Sequence, residues 1–167
     1  MKHFIVIDMQ KDFVTGTLAN ERAVPVVPKI KEALEKARKD GDSIIFTRDT
    51  HFSNYLQTNE GKHLPVEHCI KDSDGWQIVD ELKPLDNELI IDKLHFGYDE
   101  WDQYIKAGDE INICGTVTSI CVASNVSALK MIDDVEVNVL ADCCIDLSDE
   151  GHQAALTVMK AQHANIV

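Results

Sequence analysis

Residues Ile111–Asn125 read INICGTVTSICVASN, and in that run a buried strand, a sharp turn and the start of a helix follow one another around one cysteine. Ile111, Ile113 and Cys114 close the strand, Gly115 and the Thr/Ser residues make the turn, and from Ile120 the apolar residues take up helical spacing. Cys121 therefore falls in the first turn of a helix. A thiol there meets unpaired N–H groups and the positive end of the helix dipole, and both favour thiolate. The same N–H groups point where a carbonyl oxygen under attack would turn negative. A cysteine in an apolar run also packs as a small hydrophobe, and this stretch alone leaves both roles open.

The rest of the chain repeats the alternation of strand and helix. His3–Ile7, Ser43–Thr47, Glu88–Ile91, Glu110–Cys114, Val135–Leu140 and Asn165–Val167 are short apolar or β-branched runs, the pattern of strands buried on both faces. Between them, Val26–Lys39 carries Ile30, Ala33, Leu34 and Ala37 on one face, follows Pro25, contains Pro28 near its start, and is stopped by Gly41. A short helix is expected near Trp76–Leu82, and longer ones over Asp99–Ala107, Ile120–Ile132 and Asp149–Gln162. The segment from Arg48 to about Trp76 shows neither period and is dotted with His, Asn and Gly; irregular loops of that length usually carry function. The fold predicted is α/β, a three-layer, doubly wound and mostly parallel sheet, whose ligands bind beyond the carboxyl ends of the strands.

Size and charge narrow the classes of function. A chain of 167 residues is long enough to bury one substantial core and reads as a single domain over residues 1–167. With 29 acidic against 16 basic residues the formal charge is −13, which repels nucleic acid and anionic lipid and leaves a small molecule as the expected partner. The opening MKHFIVIDMQ has too short an apolar run for a signal peptide or a membrane span. The 5 cysteines form no spaced framework and no CxxC pair, which suits the reducing cytoplasm.

If every strand runs toward one edge, the residues after the strands share a crevice. Asp8 follows the first strand, Asp49 and His51 the second, Lys93 the third, and Thr116–Cys121 the fourth. A thiol needs a base to take its proton and a cation to hold the resulting thiolate, roles that fit Asp8 and Lys93. Taken singly, Asp8 is also a plausible turn residue and Lys93 a solvated strand end. In Asp49-Thr-His51 the two side chains share a side if the backbone is extended, and His68 returns from the long loop. One carboxylate and two imidazoles suit Zn²⁺, Fe²⁺ or Mn²⁺, although spacing alone leaves these residues equally readable as ordinary loop side chains. Glu60 and His63 are further candidates, and Cys69 is a soft one that points away if its stretch is extended.

These residues resemble those of the isochorismatase-like cysteine hydrolases, and in particular the nicotinamidases. The resemblance runs through IDMQKDFVTGTL, the RDTH of Arg48–His51, the LPVEHC of Leu64–Cys69, the DKLHF of Asp92–Phe96, the GTVTSICV of Gly115–Val122 and the DCC of Asp142–Cys144. It implies Asp8, Lys93 and Cys121 as catalytic triad and Asp49, His51 and His68 as metal ligands, with Glu60 nearest to a fourth. It also implies a cis peptide at Val117–Thr118, an oxyanion hole from the N–H groups of Thr118 and Cys121, and a homo-oligomer. The activity implied is hydrolysis of nicotinamide to nicotinate and ammonia through a thioester, with a divalent metal on the ring nitrogen. Phe13 would stack on the ring. Leu64 stands where nicotinamidases commonly have an aromatic residue, so Phe96 or Tyr98 would supply the other wall.

Other readings remain. The same fold and thiol serve another small amide, carbamate or ureido compound. A metal-dependent oxygenase would use two His and one carboxylate and ignore Cys121. A non-catalytic or redox-sensing protein would rely on Cys143–Cys144.

Overall fold

In the computed structural model, which describes residues 1–167, six segments form one sheet. They are Lys2–Ile7 (β1), Ser43–Asp49 (β2), Leu89–Lys93 (β3), Glu110–Thr116 (β4), Glu136–Ile145 (β5) and Asn165–Ile166 (β6). The spatial order is β3-β2-β1-β4-β5-β6 and every pairing is parallel. The chain runs outward from β1 to β3, then returns past β1 to build β4 to β6. The order reverses between β1 and β4, so a crevice opens at their carboxyl ends.

The helices are Lys11–Val14 (α1), Val27–Asp40 (α2), Asn59–His63 (α3), Ala123–Leu129 (α4) and Asp149–Ala161 (α5). The amphipathic stripe of α2 buries Val27, Ile30, Leu34 and Ala37, and the helix ends at Gly41, whose φ of 80° is left-handed. The right-handed rule for parallel crossovers assigns α2 to one face and α4 and α5, which pack on each other, to the opposite one, giving three layers. The core is continuous through the sheet: Ile5, Val6 and Ile7 of β1, Ile111 and Ile113 of β4, and Leu34 and Met159 from opposite layers are all fully buried.

Several elements differ from the sequence expectation. Trp76–Leu82 and Asp99–Ala107 form only 3₁₀ turns, at Asp80–Leu82 and Trp101–Gln103. Each segment is anchored by a tryptophan rather than by helical packing: Trp76 Nε1 donates to Thr50 Oγ1, and Trp101 Nε1 to Asn125 Oδ1. Short helices are marginal without a packed face, and these anchors override propensity. The irregular loop holds a 3₁₀ turn at Tyr55–Gln57 and then α3, capped where Thr58 Oγ1 accepts the Gly61 N–H. The helix expected over Ile120–Ile132 starts as a π-helical turn, Thr118–Val122, before α4. A register shift between Ile113 and Gly115 lets β5 run on, so that Cys144 and Ile145 pair with Gly115 and Thr116. Gly115 has φ 126°, and a Cβ there would run into the Ile7 backbone, so β4 touches β1 closely where the crevice begins.

Candidate active site

The carboxyl edge brings together side chains from three strands and one turn. Asp8 follows β1 with φ 50°, its N–H reaching Thr47 O at 3.2 Å and its Oδ1 accepting the Thr47 hydroxyl at 2.7 Å. Asp49 and Lys93 are the last residues of β2 and β3, one residue inside the strands rather than beyond them, and they are register partners. In-register neighbours project to the same side of a sheet, so both side chains turn toward Asp8. Lys93 Nζ lies 2.6 Å from Asp8 Oδ2 and donates to His95 O at 3.1 Å and Cys121 Sγ at 3.7 Å. The ammonium therefore has a carboxylate as its close ion partner and a carbonyl and a sulfur as hydrogen-bond acceptors.

Burial tunes this group more than the helix start does. Desolvation, then the charges of Asp8 and Asp49, push the Cys121 thiol well above its ordinary range, with Lys93 pulling the other way. Burial thus works against the thiolate that the helix start favours, and Asp8 is the base beside the sulfur. Burial also raises the Asp8 carboxyl, against the opposing pull of Lys93 and with Asp49 adding to the rise, which makes its carboxylate a stronger proton acceptor. Lys93 is held as an ammonium: its desolvation is outweighed by the charges of Asp8 and Asp49.

The cis peptide lies between Thr116 and Val117, not between Val117 and Thr118. β4 runs to Thr116 and the π turn starts at Thr118, so the reversal falls one bond earlier than the resemblance implied. Thr118 is fully buried, and its hydroxyl lies 3.0 Å from His152 Nδ1 instead of lining the cavity. Val117 and Cys121 do line it, and the Val117 N–H donates to no protein group.

Beside this group stands a second cluster. One ligand atom each from Asp49, His51, Glu60 and His68 lies within 4.8 Å of the others. His51 Nε2 is 2.8 Å from Asp49 Oδ2 and 3.6 Å from Glu60 Oε1, while His68 Nε2 is 3.7 and 3.5 Å from the same two oxygens. His68 Nδ1 contacts Val66 O at 2.7 Å, which fixes the ring and leaves Nε2 to the cluster. Burial disfavours a charged His68, but Asp49 and Glu60 outweigh it and carry its pKa up to about 10, so the site attracts positive charge, whether proton or metal. Burial would raise the Asp49 carboxyl, yet the two imidazoles and Lys93 lower it. Asp49 Oδ1 accepts no hydrogen bond. Two imidazole nitrogens, two carboxylates and an unpartnered buried oxygen fit a divalent cation of the Zn²⁺, Fe²⁺ or Mn²⁺ type. His63 and Cys69 lie outside the cluster, His63 turned to Asn59 O and Cys69 buried with φ 46°.

Cys121 and the second cluster open into one cavity of about 1030 Å³, lined by Phe13, Leu64, Phe96, Asp49, His51, Glu60, His68 and Cys121 among others. The Phe13 ring sits 5.6 Å from that of His68. Leu64 and Phe96 are exposed at the rim. Tyr98 is not in the wall; its N–H donates to Asn125 Oδ1 and its hydroxyl to Glu100.

Residues that sequence reasoning passed over hold these groups in place. The Gln10 amide donates to Asp49 O and Trp76 O and accepts the Asp49 N–H, copying a strand's hydrogen bonds at the end of β2. Asp12 accepts the Cys69 N–H at 2.7 Å and so fixes the turn that presents His68. The Tyr55 ring packs edge-on to His51 and His68, and its hydroxyl donates to Leu64 O. Gln10 and Asp12 sit in the quoted IDMQKDF, but the partners through which they hold the site, Asp49 and Cys69, are 39 and 57 residues away, beyond any local signal.

The isochorismatase domain profile matches residues 2–167. The nicotinamidase of Saccharomyces cerevisiae is 26% identical over 217 residues, covering 100% of this chain and 99% of that protein. The crystal structure of the pyrazinamidase of Pyrococcus horikoshii in complex with zinc superposes with a TM-score of 0.85 at 28% identity, covering 99% of this chain and 98% of that one. The pyrazinamidase/nicotinamidase of Streptococcus mutans gives 0.85 at 25% identity and covers 100% of both chains.

Proposed function

The chain belongs to the isochorismatase family, and from that premise we propose that it is a metal-containing cysteine amidohydrolase that converts nicotinamide and water to nicotinate and ammonia. The observation that carries this reading is the buried Asp8–Lys93 pair set behind Cys121, which lines the same cavity as the Asp49–His51–Glu60–His68 cluster. A cluster working alone, as in an oxygenase, leaves a fully buried Asp8–Lys93 pair beside Cys121 without a task.

In the reaction, Asp8 accepts the thiol proton while Cys121 Sγ bonds to the carboxamide carbon, whose π electrons move onto oxygen. The developing oxyanion faces the N–H groups of Cys121 and of Val117, which takes the place expected for Thr118. Lys93 keeps its charge throughout and holds both sulfur and carboxylate in place. Asp8 then returns the proton to the departing nitrogen, ammonia leaves, and a thioester remains. Water attacks the thioester with Asp8 again as base, and nicotinate and the thiol are released. Asp49, His51, His68 and Glu60 would hold a divalent metal, which supplies Lewis acidity and an anchor for a ring nitrogen. Phe13 packs on the ring.

Five free, buried cysteines support placement in the cytoplasm. No helix is long and apolar enough to cross a membrane. A second substrate reading, another small amide, carbamate or ureido compound, is favoured by the rim: Leu64 is 40% exposed and supplies no aromatic wall opposite Phe13. Ammonia release from nicotinamide, pyrazinamide and a panel of aliphatic amides and ureido compounds tests both. Turnover of nicotinamide above the panel is expected; turnover of the panel with nicotinamide untouched would overturn the nicotinamide assignment.

A further inference from the structure

Asp146, the residue after β5, is buried and uses its two carboxylate oxygens for different tasks. Oδ1 accepts the Leu147 N–H at 2.7 Å and the Ser148 N–H at 3.4 Å, at the entry to α5. Oδ2 accepts the Ser119 N–H at 2.7 Å. Ser119 belongs to the turn Thr118–Val122 that presents Cys121. The Asp146 carbonyl in turn accepts Asn20 Nδ2 at 3.1 Å, and Asn20 and Leu147 both line the cavity.

The Oδ1 contacts alone are those of a local Asx turn. The Oδ2 contact is not local, since it spans 27 residues and lands on the turn beside the nucleophile. A second tether runs the same way, from His152 of α5 to the Thr118 hydroxyl. α5 also leaves room for the carboxylate: a Cβ on Gly151 would stand 2.5 Å from Asp146 Oδ1.

We propose that Asp146 is a positioning residue, whose carboxylate, seated against the first turn of α5, fixes the Thr118–Val122 turn so that Cys121 meets Asp8 and Lys93. The inference rests on the reading of Cys121 as nucleophile. A carboxylate accepts on both oxygens, whereas an amide offers one acceptor and one donor. Asp146→Asn therefore satisfies either the α5 entry or Ser119, not both. Gly151→Ala leaves Asp146 intact and improves helix propensity, but displaces the carboxylate.

Both variants are tested in the full chain by kcat and KM on the best amide of the panel, by the rate of Cys121 alkylation with iodoacetamide, and by thermal melting. The expected result in each is a kcat lower by about 10–100-fold with KM within about twofold, as for a small misplacement of a reacting group. The alkylation rate at neutral pH is expected to change by at least about threefold, because the thiol loses its register with Asp8 and Lys93. Wild-type kcat and alkylation in either variant would overturn the proposal, as would losses no larger than the unfolded fraction at the assay temperature. Should the wild type release ammonia from no amide, the functional reading fails on its own, and the alkylation rates alone decide the role of Asp146.

Discussion

Lys93 Nζ stands 2.6 Å from Asp8 Oδ2, with both side chains shut off from solvent. Neither charge has another full partner, since the next carboxylate oxygen, Asp49 Oδ1, is 3.6 Å from the ammonium. The pair is therefore a structural element of the sheet edge as much as a candidate for chemistry.

Lys93→Ala leaves the Asp8 carboxylate buried and unpaired, and breaking such a pair costs about 3–5 kcal/mol. At about 2–4 °C per kcal/mol for a domain of this size, the melting temperature should fall by roughly 6–20 °C. The double variant Asp8→Asn/Lys93→Met should lose less stability than Lys93→Ala, while both are inactive. A double variant that melts lower than the single one would show that the pair does not behave as a buried ion pair.

Cys121→Ala should lower ammonia release by at least about 10⁴-fold, as removal of a nucleophile does elsewhere. Metal content should not change, because Cys121 lies outside the four-residue cluster. Persisting turnover would remove the nucleophile assignment.

His51→Ala should lose stoichiometric metal, measured by elemental analysis after dialysis. Glu60→Gln should weaken metal affinity less, since Glu60 is the more exposed of the carboxylates and sits on α3 rather than on the sheet. Chelation of the wild type should abolish activity and restored Zn²⁺ or Mn²⁺ should return it. Retained metal in His51→Ala would count against the ligand set.

Asp109 accepts from the Met1 ammonium at 2.7 Å, the Lys106 N–H at 2.8 Å and His3 Nε2 at 3.1 Å, and these contacts, the ammonium first, hold its carboxyl at about 2. A carboxyl lowered by folding contributes stability that is fully present above its unfolded value, about 3.9, and lost as pH falls through its folded one. The gap in urea midpoint between the wild type and Asp109→Asn should thus be constant between about pH 5 and 7 and narrow between about 4 and 2. A gap that stays constant across that window would refute the assignment.

Much of the framework was legible because it is local. Apolar β-branched runs such as His3–Ile7 and Ser43–Thr47 read as buried strands and are strands, and Gly41 ends α2 with a conformation other residues avoid. Once the strands are known to be parallel, Asp8, Asp49, Lys93 and Cys121 must share an edge. The failures were also physical. The helices expected at Trp76 and Trp101 shrink to single turns because each tryptophan finds a distant hydrogen-bond partner, and such partners leave no periodicity in the chain.

Residue pattern by itself determined the sheet, its winding and the set of side chains at its carboxyl edge, because strand burial and parallel crossovers depend on neighbours in the chain. Tertiary structure alone decided that Val117 rather than Thr118 faces the cavity, that burial pushes the Cys121 thiol up, and that Gln10, Asp12 and Asp146 brace the walls. Those outcomes depend on desolvation and on single hydrogen bonds between segments far apart in sequence, quantities that exist only after the chain has closed on itself.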